Sequence, residues 1–144
     1  MNQICPRTIH LLKLCVGVAS IDGLARLQAE RLRRGEELAH ITRMTPRRAE
    51  DLIAGGSIYW VIAGRIQLRQ RIIDIRPFTD REGISRCRLV FDSELVAVRP
   101  VARRAFQGWR YLEPEDAPDD LPESERSGDL PDAMRNVLIE LGLL

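Results

Sequence analysis

Along this chain the spacing of apolar residues alternates between strand-like and helical. Thr8–Val18 (TIHLLKLCVGV) is almost wholly apolar apart from Lys13, the pattern of a mostly buried strand. Ser20 then offers a hydroxyl cap for a helix, with Asp22 favourably placed in its first turn. Ile21, Leu24, Ala25 and Leu32 form one stripe, while Arg26–Glu30 and Glu30–Arg34 pair on the solvated face. Gly35 stands where a helix stop belongs. Leu38–Met44 reads as a second strand, and Thr45-Pro46 as the cap and first turn of a short helix through Ala54. After Gly55-Gly56, Ser57–Ala63 (SIYWVIA) has the β-branched and aromatic content of a strand, and Gly64 marks a turn or bulge.

Arg65–Arg76 is the most regular stretch. Arg65, Gln67, Arg69 and Arg71 alternate with Ile66, Leu68, Gln70 and Ile72, which predicts one cationic face and one core face. Beyond Ile72 the parity shifts, so that Ile73 and Ile75 are apolar and Asp74 and Arg76 polar, as a β-bulge would produce. Thr79–Gly83 is a turn. Ile84–Phe91 returns as a strand, with Cys87, Leu89 and Phe91 on one face and Arg86 and Arg88 on the other. Leu95–Val101 predicts another strand and Ala105–Leu112 a short extended piece. Leu130, Met134, Val137, Leu138 and Leu141 recur at helical spacing, predicting a C-terminal amphipathic helix.

These elements predict an α+β fold: a curved, mostly antiparallel sheet or a small barrel, two short helices and the C-terminal helix. The expected organisation is one domain over residues 1–112, an acidic proline-bearing linker over 113–129, and the helix over 130–144. Glu113–Asp129 holds eight acidic residues and three prolines, a composition that favours irregular, solvated chain.

Charge adds a second division. Residues 1–112 carry 20 Lys/Arg against 11 Asp/Glu, and residues 113–144 carry 2 against 10. A basic body with an acidic tail implies an anionic partner for the body, or mutual neutralisation of the two parts. Arginine supplies nearly all the positive charge, since Lys13 is the only lysine. The N-terminus lacks a signal-peptide pattern and no apolar run approaches the roughly 20 residues of a membrane helix, so the expectation is a cytoplasmic protein without membrane contact.

The motifs of catalysis are missing. There is no G-x-S-x-G, and Gly55-Gly56 closes a helix instead of opening one around a phosphate. Cys5, Cys15 and Cys87 include no CxxC and are expected as core thiols, and with His10 and His40 they do not have metal-ligand spacing. No catalytic residue, metal ligand or cofactor is assigned.

The arginines carry the strongest signal. Arg65, Arg69 and Arg71 on one strand, with Arg86 and Arg88 on its hairpin partner, would form a cationic sheet face suited to phosphate, unless Asp74, Glu82 or the acidic tail neutralises it. Arg47 and Arg48 at a helix start and Arg110 extend the set. Trp109 and Tyr111, flanking Arg110, and Tyr59 are candidate base-stacking residues, with core packing as the competing role. Tyr59 and Trp60 point to opposite strand faces, so at least one belongs to the core.

Together, TIHLLKLCVGV, RRAEDLIAGGSIYWVIAGRIQLRQRI and FQGWRYLEPEDAP resemble the bacterial, chiefly alphaproteobacterial, domain-of-unknown-function 1489 family over nearly the full length. That resemblance implies no catalytic residues. The coarse strand order is also similar to PUA-like domains, including the ASCH and EVE groups, whose members often bind RNA or modified bases. The expected function is a non-catalytic RNA-binding module. Two alternatives stand beside it: a protein-interaction or homodimerisation module working through the C-terminal helix, and an enzyme acting on a nucleotide-like phosphorylated small molecule.

Overall fold

A computed structural model of the chain describes residues 8–104 and 106–122. Among them the order is β1 (His10–Leu14), α1 (Ile21–Arg33), β2 (Ala39–Thr42), α2 (Ala49–Ile53), β3 (Ser57–Ile62), β4 (Arg65–Thr79), β5 (Ser85–Phe91), β6 (Val96–Ala102) and β7 (Trp109–Leu112), followed by one 3-10 turn at Pro114–Asp116. The predicted C-terminal helix, the N-terminal Cys5 and the end of the acidic stretch lie outside the described residues.

The strands form one sheet in the order β2-β5-β4-β3-β1-β7, with β6 also paired to β4. Every pair is antiparallel except β1 with β3. That pair is parallel because α1, β2 and α2 intervene as a crossover between the two strands. The fold class is α+β as expected, but the sheet is open, with β2 and β7 as its outer strands and no closed barrel among the described residues.

β4 shapes the sheet through two bulges. Ile72 faces Phe91 and Asp74 faces Val90, which leaves Ile73 as the extra residue the parity change predicts. A second irregularity was not legible from alternation. Trp60 faces Leu68 while the next residue, Val61, faces Ile66, leaving Gln67 extra. Gln67 is held there by its amide, which donates to the Ile62 carbonyl at 2.6 Å. This bulge overturns the expected single face of Arg65, Arg69 and Arg71. Ile66 joins the cluster of Leu12, Tyr59, Val61, Val98 and Leu112, whereas Leu68 joins the cluster under α1, so Arg65 and Arg69 project from opposite faces.

α1 starts as its sequence dictates: the Ser20 hydroxyl accepts from the Gly23 N–H at 3.0 Å. It ends at Gly35, whose φ of 76° suits the left-handed stop. Leu24 and Ala25 seal the main core, which holds Leu11, Ile58, Trp60, Ile62, Leu68, Ile72, Leu89 and Phe91 on the helix side of the sheet. Within that apolar layer Gln28 of α1 and Gln70 of β4 exchange amide hydrogen bonds at 2.9 and 2.8 Å. The short helix begins at Ala49, later than Thr45-Pro46 suggests, and stops at Gly56, where a side chain would collide with the carbonyls of Ile9 and Leu52.

The acidic stretch is not uniformly solvated linker. Within its described part, 113–122, the chain at Asp119–Leu121 pairs along β6. The Asp119 main-chain carbonyl accepts from the Arg99 N–H at 2.9 Å, the Leu121 N–H donates to the Ala97 carbonyl at 3.0 Å, and the Leu121 side chain is buried.

Candidate functional site

The open sheet leaves an unclosed seam on its helix side. β2 is bonded only through β5, and β7 only through β1. Yet the two outer strands meet across this seam. Thr42, Arg43 and Met44 at the end of β2, with Gln107–Tyr111 at β7, line one cavity of about 510 Å³. The Arg48 N–H donates to the Tyr111 hydroxyl at 3.1 Å, and the Arg48 guanidinium lies 6.0 Å from the centre of the Tyr111 ring. Trp109 and Tyr111 stack edge to face at 5.1 Å. Trp109 is half-buried on the core, Tyr111 is 37% exposed and Met44 63% exposed. Arg43, Arg47 and Arg110 are exposed, and Arg110 lies over the Phe106 ring at 4.7 Å. The seam is therefore a soft aromatic surface with Arg43 and Arg110 in its lining, the Arg110 guanidinium turned to Phe106, which packs with the cluster of Leu12 and Leu112.

A second, smaller cavity of about 120 Å³ lies beneath α1, lined by His40 of the same strand that brings Thr42 to the first. Lys13 is directly opposite Trp109 in the β1–β7 register and lines this smaller cavity. Arg31 of α1, His40 of β2, Cys15, Gln28 and Trp60 also line it, and among the described residues no carboxylate does. Lys13 is only 7% exposed. Burial lowers its pKa. Burial, with the charges of Lys13 and Arg31, lowers that of His40 to about 4, so this imidazole is neutral at pH 7. Burial pushes the Cys15 thiol up to about 11, which keeps it protonated and weakly nucleophilic.

His40 gives this chamber an acid sensitivity. Its folded pKa near 4 lies below the ordinary 6.5, so as pH falls the unfolded chain takes up a proton first. The contribution is complete above about pH 6.5 and is lost on descent to about pH 4. With discount for solvent screening it amounts to about 1–2 kcal/mol. His40→Gln should flatten the loss of urea stability between these pH values in part, because His10 is shifted in the same direction by burial and Arg69. An unchanged pH slope in the variant would contradict the assignment.

The other candidate residues lie elsewhere. Arg86 and Arg88 stand beyond the Ile73 bulge, opposite Phe78 and Arg76, and not beside Arg69 and Arg71. Several of these arginines already have carboxylate partners: Arg86 with Asp80 at 2.6 Å, Arg88 with Glu37 at 3.6 Å, and Arg69 with Asp120 at 2.6 Å. Arg65 and Arg71 are exposed but stand on opposite faces of the sheet. Tyr59 is buried on the far side, its ring 5.1 Å from that of His10. There His10 Nδ1 accepts from the Ser57 N–H at 3.0 Å, which places the proton of the neutral ring on Nε2. His10 thus faces away from His40, and among the described residues no group of three His, Cys, Asp or Glu could hold a metal ion. Arg48, Arg110, Trp109 and Tyr111 do converge on the seam, whereas Arg47 is exposed and does not line its cavity. Lys13, Arg31, His40, Arg43 and Met44 were missed; a lone lysine in the inward register Leu11–Lys13–Cys15 was the available signal.

The fold and seam define a small α+β protein with an open, curled mixed sheet. The family described as "Protein of unknown function (DUF1489)" matches residues 11–144, and the chain belongs to it. No curated protein and no solved structure matches the chain. Among the described residues no helix is long and apolar enough to cross a membrane.

Proposed function

We propose that the chain is a non-catalytic module that binds single-stranded RNA along the seam between β2 and β7. The observation that carries this reading is the convergence of Trp109, Tyr111 and Met44 with Arg43 and Arg110 on one cavity, beside Arg48 at Tyr111. Unpaired bases present flat faces that stack on aromatic rings, while arginine forks bind the flanking phosphates. A duplex hides those faces, so a groove of this kind selects single strands. A cytoplasmic location is part of the same proposal.

The test is fluorescence anisotropy of a labelled mixed-sequence RNA strand across a salt series. Three phosphate contacts predict a slope of about −2 in log K against log salt. Arg43→Glu combined with Arg110→Glu should weaken binding by at least about tenfold at an unchanged melting temperature. Tyr111→Ala should cost about tenfold more by removing one stacking face. An RNA duplex of equal length should compete poorly. Undiminished binding by the double reversal, or no binding by wild type at low salt, would remove the proposal.

A further inference from the structure

The chamber under α1 poses a problem that the seam's mouth does not solve. Lys13 is almost fully buried, Arg31 lines the same space, and among the described residues no carboxylate lines it. A buried ammonium without an opposite charge is costly, and proteins keep one where something compensates it. The neighbouring side chains do not. Gln28 and Gln70 are committed to each other, and Gln70 also to Trp60 and the Asp92 carbonyl. Cys15 stays a neutral thiol at physiological pH.

We propose that this chamber is a binding site for a phosphate monoester, held by Lys13, Arg31 and His40. The charge count selects the ligand. Two basic side chains face the space, and a phosphate monoester brings about −1.5 to −2 at neutral pH. A carboxylate would leave one cation uncompensated. The donor set agrees: a guanidinium fork, an ammonium and an imidazole come from α1, β1 and β2, so they approach a tetrahedral group from three elements. The space of about 120 Å³ admits a small group and no polymer. The phosphate can belong to a free nucleotide or to the end of an RNA strand lying in the seam. Only the second source rests on the RNA reading.

The experiment uses the full chain with inorganic phosphate and a nucleoside 5′-monophosphate as probes, followed by thermal melting and by the His40 ring resonances. Wild type should gain about 5 °C at saturating ligand. The His40 pKa should move upward from about 4, because an adjacent anion favours the imidazolium. Lys13→Met, of similar length and without charge, should melt at or above wild type and show no response to either probe. A wild type that responds to neither probe overturns the proposal, as does a Lys13→Met protein that responds as strongly as wild type. Tighter binding of 5′-phosphorylated than 5′-hydroxyl RNA assigns the chamber to strand ends. Equal binding with a retained monophosphate response assigns it to free nucleotide. A phosphate response that survives Arg43→Glu with Arg110→Glu shows the chamber standing without the mouth.

Discussion

Gln70→Ala should destabilise the protein by about 4 kcal/mol, several times the cost of an ordinary surface change. Gln70 is fully buried and satisfied at every atom. Its Oε1 accepts from Gln28 Nε2 at 2.9 Å and from the Trp60 indole at 3.2 Å. Its Nε2 donates to Gln28 Oε1 at 2.8 Å and to the Asp92 carbonyl at 2.7 Å. The indole can only donate and the carbonyl can only accept, so the amide has one workable orientation. Truncation strands four partner atoms in the core and opens a cavity beside Leu68 and Ile72. Because Gln28 is the one tie of this kind between α1 and the sheet among the described residues, the helix also loses its anchor. Gln28→Leu with Gln70→Leu should cost less than Gln70→Leu alone, since removing both amides strands fewer groups. Urea unfolding of the four proteins measures this. A loss below about 1 kcal/mol in Gln70→Ala would show that water replaces the network.

Gln70 also illustrates how far the sequence could be read. It occupies the apolar register of Arg65–Arg76, so its burial was visible, but a single strand cannot show what lies above it. Local signals were legible wherever one residue decides the geometry: the Ser20 cap, the Gly35 stop and the parity change after Ile72. The Gln67 bulge was not, because Ile66 and Leu68 keep perfect alternation on paper while the pairing of β3 displaces one relative to the other. That hidden residue split the arginine set.

The seam was legible in part for a related reason. Trp109, Arg110 and Tyr111 stand out in a chain with 5% aromatics, but their counterpart Thr42–Met44 is about 65 residues away in sequence. Only the order of strands, with β2 and β7 at the two ends of the sheet, brings the segments together. The Lys13 chamber needed the same long-range information from three separate elements.

Asp120→Ala is the second large effect, expected at about 1–2 kcal/mol, because the exposed carboxylate is screened by solvent while its docking contacts are lost. The Asp120 carboxylate grips Arg69 with two parallel bonds of 2.6 Å, and Arg69 Nη1 also reaches the Ser57 hydroxyl at 3.2 Å. The pair is part-exposed: the Arg69 side chain is 26% exposed and Asp120 38%. Losing the carboxylate leaves a half-buried guanidinium beside Tyr59 and His10, and frees the segment whose Leu121 closes the core edge. Arg69→Met should cost less, because a carboxylate at this exposure regains water more easily than the guanidinium beneath it. The double variant should sit near Arg69→Met, which a double-mutant cycle in urea reads directly. The same contact bears on function. In the intact protein the acidic segment already occupies Arg69, so Asp120→Ala should raise the affinity for polyanions at low salt while the seam variants lower it. Unchanged polyanion binding in a folded Asp120→Ala protein would mean that Arg69 serves only to dock the acidic segment.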